Sequence, residues 1–246
     1  MADAPLTPRA KARAQFTADL LAAGRAHLEK DGAATLSLRA IARDLGVASS
    51  AVYRYVDSRD GLLTLLVIEA YDSVGLVCEQ AEDHARSQGA PAPEIWLDVA
   101  RAFRNWALEN RHSYELIYGT PIRGYAAPQD TVAHAARVWG VVVRVMDQAR
   151  AEGDLLPTGA PFDADGLLAP DVRAAIADLL SGGEDEPFPE EDVARSLSLF
   201  TNLLGATTAE LFGHFHGFST DDARTFDAIV ATGAAGVGLR IDLEAV

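Results

Sequence analysis

The residues best suited to chemistry are the hydrogen-bond donors of one short segment, SLRAIARDLGVASSAVYRYVDSRD at positions 37 to 60. Ser49, Ser50, Tyr53 and Arg54 are left on the outward face of a short helix there. Hydroxyls and a guanidinium at this spacing suit phosphate oxygens and the edges of bases in duplex DNA.

The elements that must hold those donors follow from apolar spacing. Leu38, Ile41, Ala42 and Leu45 recur at i, i+3, i+4 and i+7, the stripe of a helix that Ser37 can cap. Gly46 stands where a tight turn between two helices needs a positive φ, and Ala42 is small enough to let the second helix cross closely. Val47, Val52 and Tyr55 carry the apolar pattern into that second helix, expected at about 49–55. Upstream, a first helix is expected at about 9–30, with Leu20, Leu21, Ala23 and Leu28 inward. Downstream, a long fourth helix starts near Ser58 and is broken by SQGAPAP at 87–93. Further helices are expected at about 94–109, 111–119, 130–152, 190–216 and 220–241, with a short helical piece at 171–180. No stretch sustains the alternation of a strand, so the fold class is all-α.

The bulk numbers constrain less. The 246 residues carry 21 Lys+Arg and 36 Asp+Glu, a net charge of −15. The charge is unevenly spread: residues 1–60 hold nine bases against seven acids, net +2, and the remainder holds 12 against 29, net −17. Phosphate contacts are local, so a mildly basic head on an acidic body is compatible with DNA. A single cysteine, Cys78, excludes an internal disulfide. No signal-like N-terminus and no uninterrupted apolar run near 18 residues is present, so a cytoplasmic chain without a membrane partner is expected.

Other clusters are weaker. Arg9, Lys11 and Arg13 read either as a disordered basic tail or as an arm reaching phosphates or the minor groove. Glu210 and His214 are spaced i, i+4, but no third ligand supports a metal site, and no metal or cofactor is expected. Cys78 reads as a packed small residue. No P-loop, GxSxG elbow or GxGxxG occurs, which argues against an enzyme. GATTAELFG and ATGAAGVG, rich in small residues, suit the close helix approach of a symmetric dimer interface.

The stretch from about Arg13 to Tyr71, through LSLRAIARDLGV and AVYRYVDSRDGLL, resembles the N-terminal domain of the tetracycline-repressor (TetR) family. RNWALENRHSYELIYG, through Trp106, His112 and Gly119, is similar to the WHG signature of a C-terminal regulatory domain in that family. The resemblance implies a three-helix DNA-binding domain at 1–60, with its helix-turn-helix at about 37–56. The long fourth helix joins it to a ligand-binding and dimerisation domain at 61–246, with the signature at about 95–152 and dimer helices at about 190–241. It implies a homodimer on a palindromic operator, most simply a repressor that a small apolar or amphipathic effector releases. A regulator controlled by a protein partner, or by no ligand, is the alternative. By position, Ser37, Arg39, Ser49, Ser50, Tyr53, Arg54, Tyr55 and Arg59 match the family's DNA contacts, with Tyr53 expected on a phosphate and Tyr55 partly packed. Ala48 departs from the usual Ser or Thr, leaving Ser49 as the alternative cap. Gly24, where Ala is usual, is expected to cost up to ~1 kcal/mol of helix propensity. Phe103, Trp106, Tyr118, Trp139 and Met146 are candidate pocket residues, with Thr207, Arg104 or Arg144 as polar anchors; helical core is the competing reading for each aromatic.

Overall fold

The computed structural model describes residues 7–156, 166, 167, 169 and 189–244. The expected helical piece at 171–180 lies outside the described residues. Among the described residues there are nine α-helices and no strand, only an isolated bridge between Leu155 and Leu239. They are α1 (Pro8–Asp31), α2 (Leu38–Asp44), α3 (Ser49–Val52), α4 (Arg59–Ser87), α5 (Ala92–Glu109), α6 (Arg111–Tyr118), α7 (Thr131–Glu152), α8 (Glu190–Leu211) and α9 (Asp222–Gly236). The all-α expectation is met.

Two compact units divide the chain. One takes the residues up to Tyr71 together with Asn110–Val132, so the unit that carries the helix-turn-helix reaches beyond residue 60 and includes α6. Its core is Leu20 and Leu28 of α1, Leu38, Ile41 and Ala42 of α2, Val52 and Val56 around α3, and Leu62, Leu63 and Leu66 of α4. Thr7 caps α1 by accepting the Ala10 N–H, and Pro8 follows at the first helical position, where its missing N–H costs nothing. Gly24 has a packing reason that the propensity argument lacked. It is buried, and a Cβ there would sit 3.1 and 3.2 Å from the two Leu66 methyls, so α1 and α4 pass each other at this glycine.

The second unit takes Asp72–Glu109 and everything from Ala133. Trp96, Phe103, Met146 and Phe226 are among its largest fully buried side chains. An ionic row fastens α4 to α7. Asp72 accepts from His134 at 2.7 Å and Arg137 at 2.8 Å, Glu79 accepts from Arg137, Glu82 accepts from Arg144 at 3.0 Å, and Arg86 donates to Gln148. The partners ascend together along both helices, so α4 and α7 run parallel here. Glu82 is almost fully buried, which only the two guanidinia of Arg86 and Arg144 make tolerable. Arg101 forks onto Asp227 and Arg104 onto Glu210, tying α5 to α9 and to α8.

By length and composition α4 could cross a membrane. Six of its apolar residues, Leu62, Leu63, Leu66, Val67, Val74 and Cys78, are buried in protein, whereas Leu76 is exposed. Burial, with Glu79 and Glu82 nearby, pushes the Cys78 thiol up to about 12, as befits a packed residue.

Three expected boundaries move. The recognition helix ends at Val52 because Arg54 and Tyr55 bond back three residues, to Ala51 and Val52, in a tighter turn. α8 stops at Leu211, before the positive-φ Gly213 and Gly217. α9 stops at Gly236, ahead of the positive-φ Gly238 and the Leu155–Leu239 bridge. The second of these removes the geometry of the Glu210–His214 pair, since His214 lies past the helix end and Glu210 is held by Arg104. Among the described residues no group of three or more His, Cys, Asp or Glu is placed to hold a metal.

Candidate nucleic-acid interface

The helix-turn-helix is built from four local events. Ser37 caps α2 by accepting the Ala40 N–H at 3.5 Å. Gly46 takes φ 66°, a left-handed conformation that favours glycine. The Val47 N–H then donates to the Ala42 carbonyl at 2.9 Å and closes the turn. Val52 and Val56, both buried, pin α3 and the turn after it to the core. Ala48 is the residue before α3 and supplies no side-chain cap; Ser49 is the first helical residue, so it does not replace the missing cap.

This frame sorts the eight candidate DNA contacts into two groups. Arg39, Ser50, Tyr53 and Arg54 are exposed, Tyr53 at 48%. Arg39 and Arg54 take part in none of the ion pairs between described residues, whereas Arg25, Arg43 and Arg59 of the same unit do. The other four are at least partly used inside the protein. Ser37 is a cap and Ser49 is half-buried. Tyr55 lies against Phe16, with ring centroids 4.3 Å apart. Arg59 donates to the Ala33 carbonyl at 2.8 Å and to Asp60 at 3.1 Å, holding the 3-10 turn Ala33–Thr35. Arg9, Lys11 and Arg13 are helical, within α1, so the disordered-tail reading is replaced.

The neighbours of Tyr55 escaped the sequence reading. The Arg13 guanidinium carbon stands 6.0 Å from the Tyr55 ring centroid. The signal was present as a stripe: Arg9, Arg13, Phe16 and Leu20 fall at i, i+4, i+7 and i+11, one face of a helix.

The candidate pocket residues do not share one unit. Tyr118 belongs with the helix-turn-helix and packs near Tyr114 and Tyr71, with centroids 5.3 and 5.9 Å away. Phe103, Trp106, Trp139, Met146 and Thr207 belong to the other unit. Trp106 Nε1 donates to Ser73 Oγ at 2.9 Å and Trp139 Nε1 to Ser196 Oγ at 3.0 Å, so both indoles are spoken for. Arg104 and Arg144 are taken by Glu210 and Glu82, and neither is a free anchor. Thr207 differs: its hydroxyl is buried with no hydrogen-bond partner among the described residues. An open groove of about 850 Å³ lies elsewhere in the same unit, lined among others by Arg101, Asn202, Arg224, Asp227, Thr232 and Gly233. None of the six candidates lines it. A Cβ on Gly233 would fall 2.5 Å from the Asn202 side-chain amide, so the amide sits close against this glycine and part of the small-residue pattern serves α8–α9 packing within the chain.

The parts of the signature around α6 have separate physical grounds. Trp106 holds Ser73, and His112 Nδ1 is 3.7 Å from Glu115. A Cβ on Gly119 would fall 2.3 Å from the Glu115 carbonyl oxygen, so the end of α6 admits no side chain.

Comparison with known proteins agrees with this architecture. Residues 20–66 match the family model for bacterial regulatory proteins of the tetR family. Residues 96–232 match the tetracyclin repressor-like C-terminal domain. Over 228 residues the chain is 38% identical to the HTH-type transcriptional regulator Rv1816 of Mycobacterium tuberculosis, covering 89% of this chain and 91% of that protein. The crystal structure of the regulatory protein SCO4313 is similar with a TM-score of 0.69 at 32% identity, covering 93% of this chain and 100% of that one. The structure of RolR in complex with resorcinol shares the fold, with a TM-score of 0.52 at 18% identity over 94% of this chain and 91% of that one. The sequence matches, the helix-turn-helix and the helical body lead to one assignment: the chain belongs to the TetR family of transcriptional regulators, which are DNA-binding proteins and not enzymes.

Proposed function

We propose that the chain is a repressor that binds a palindromic operator as a homodimer and is released when a small apolar or amphipathic molecule enters its helical body. The observation that carries the DNA half is the sorting of the recognition segment: Val52 and Val56 hold it to the core while Arg39, Ser50, Tyr53 and Arg54 stay exposed, the two arginines without ion-pair partners among the described residues. In this reading those four touch phosphates and base edges. Ser37, Ser49, Tyr55 and Arg59 contribute mainly by fixing their geometry. The exposed small residues Thr201, Gly205, Ala228, Thr232 and Gly236 of α8 and α9 suit a face on which a second copy packs closely. Two heads held that way would enter major grooves about one helical turn apart, ~34–36 Å.

For the effector, Phe103, Trp106, Trp139 and Met146 supply apolar surface, with Tyr118, in the other compact unit, as the outlying candidate. The buried Thr207 hydroxyl, without a hydrogen-bond partner among the described residues, is a polar point that a ligand atom would satisfy. Effector binding releases DNA only by favouring a conformation with the wrong head spacing. The test is a shift assay on DNA flanking its own gene, repeated with a metabolite panel that includes small phenols, since RolR holds resorcinol. Retarded DNA that a panel member frees supports the proposal. DNA binding indifferent to every member, with no rise in melting temperature, would favour control by a partner protein. Arg54→Ala and Tyr53→Phe variants that bind DNA like the wild type would overturn the interface itself.

A further inference from the structure

The first turns of α1 reach beyond the core. Residues 11–15 are all exposed, and the first fully buried residue of the helix is Leu20. This overhang carries Arg9, Lys11 and Arg13 and no carboxylate. Arg9 and Arg13 take part in none of the ion pairs between described residues, although Arg25, Arg43 and Arg59 of the same unit do. What holds the overhang in place is aromatic. Phe16 and Tyr55 face each other at 4.3 Å between centroids, with planes 33° apart, and Arg13 lies over the same Tyr55 ring at 6.0 Å.

Tyr55 sits one residue beyond Arg54, at the end of the recognition segment. The stack therefore brings the Arg9–Arg13–Phe16 stripe to that end. A guanidinium over a ring still has its five N–H donors to offer sideways, so the contact orients Arg13 without consuming it. We infer that Arg9 and Arg13 bind backbone phosphates beside the recognition helix, and that Phe16 is the positioning residue that holds this stripe against Tyr55. The inference rests on the reading of α3 and Tyr53–Arg54 as the DNA-reading segment. Lys11, two residues from Arg13, points about 200° around the helix from it and provides an internal control.

Phosphate binding leaves a signature that packing does not. Each phosphate neutralised contributes about 0.9 to the slope of log affinity against log salt. The full-length protein and its variants are titrated, at several salt concentrations, with a duplex that the wild type has enriched from a randomised library and with an unrelated duplex. Arg9→Ala and Arg13→Ala are each expected to weaken both duplexes by a similar factor, about tenfold at low salt, and to lower the slope by about 0.9 for each phosphate no longer neutralised. Arg13→Lys restores the slope, and Lys11→Ala leaves it unchanged. Phe16→Ala lowers it at least as far as Arg13→Ala does, and adding Arg13→Ala to Phe16→Ala lowers it no further. Phe16→Leu keeps apolar bulk without a flat ring, so the same loss at an unchanged melting temperature separates positioning from unfolding.

Wild-type slopes for Arg9→Ala and Arg13→Ala, with Arg54→Ala clearly weakened, would overturn the inference and leave the stripe as packing alone. Wild-type affinity for Arg54→Ala as well would mean that the assignment of the reading segment has failed instead.

Discussion

Arg137 crosses α4 directly over Gly75. Its guanidinium reaches Asp72 on one side of the glycine and Glu79 on the other, and a Cβ added at Gly75 would stand 2.8 Å from both Arg137 Cβ and Nε. Gly75→Ala should therefore destabilise the protein by roughly 1–3 kcal/mol, although alanine favours a helix by up to about 1 kcal/mol. Because Arg137 Cβ is part of the clash, Arg137→Ala should relieve only part of it. Urea denaturation of both single variants and the double variant measures this; a stabilised Gly75→Ala protein would refute the packing argument.

Gly119 poses a harder steric problem. A Cβ there would meet backbone, the Glu115 carbonyl oxygen at 2.3 Å, which cannot swing aside like a side chain. Gly119→Ala should lose roughly 2–3 kcal/mol and loosen the end of α6. Unfolding curves, with proteolysis mapped across 110–125, would report it. Unchanged stability and unchanged cleavage would contradict it.

The Asp72 carboxyl gives the ionic row a pH dependence. Burial pushes its pKa up, but hydrogen bonds and charge from His134 and Arg137 outweigh that and hold it below the usual 3.8. A depressed carboxylate pKa contributes stability that is present above its unfolded value and is lost as pH falls through the folded one. Asp72→Asn should thus be the less stable protein at pH 7, and the gap should close below 3.8. Denaturation midpoints at neutral pH and at successively more acidic values test the sign; a gap that widens in acid would contradict it.

Cys78 is fully buried, and its thiol is pushed up to about 12. Native protein in mildly alkaline buffer should resist thiol reagents, with labelling that follows unfolding and accelerates in urea. Rapid stoichiometric labelling of folded protein would show that the helix opens locally. Cys78→Ser should cost roughly 1–3 kcal/mol, the penalty for a buried hydroxyl without a partner.

Much of the reading head was legible in the sequence because its determinants are local. Ser37, Gly46 and the 38–41–42–45 spacing each act within one turn of chain, and the cap, the positive φ and the buried stripe all appear in the structure. The resemblance to the TetR family was equally legible, since both of its motifs are continuous. Long-range pairing was not. Nothing within a few residues of Arg104 or Arg144 announces Glu210 or Glu82, 106 and 62 positions away, so both arginines passed for free anchors. Nor does composition reveal that Tyr118 and Phe103 fall in different compact units. The ends of α8 and α9 were overrun because glycine in a small-residue stretch reads equally as packing and as a stop; Gly213 and Gly238 turn out to be stops.

The crossing of α1 and α4 at Gly24 and Leu66 bears on how this regulator can diverge. With hydrogen in place of a methyl, the Leu66 methyls lie 3.1 and 3.2 Å from where a Cβ would stand, so a larger residue there requires the Leu66 side chain to give way. Arg39, Ser50 and Arg54 project from the same unit into open solvent, where a change of side chain disturbs nothing behind it. Drift can therefore rewrite the outward letters while the crossing keeps the hinge of the type fixed. Related chains should differ in what they recognise long before they differ in how the recognising helix is held.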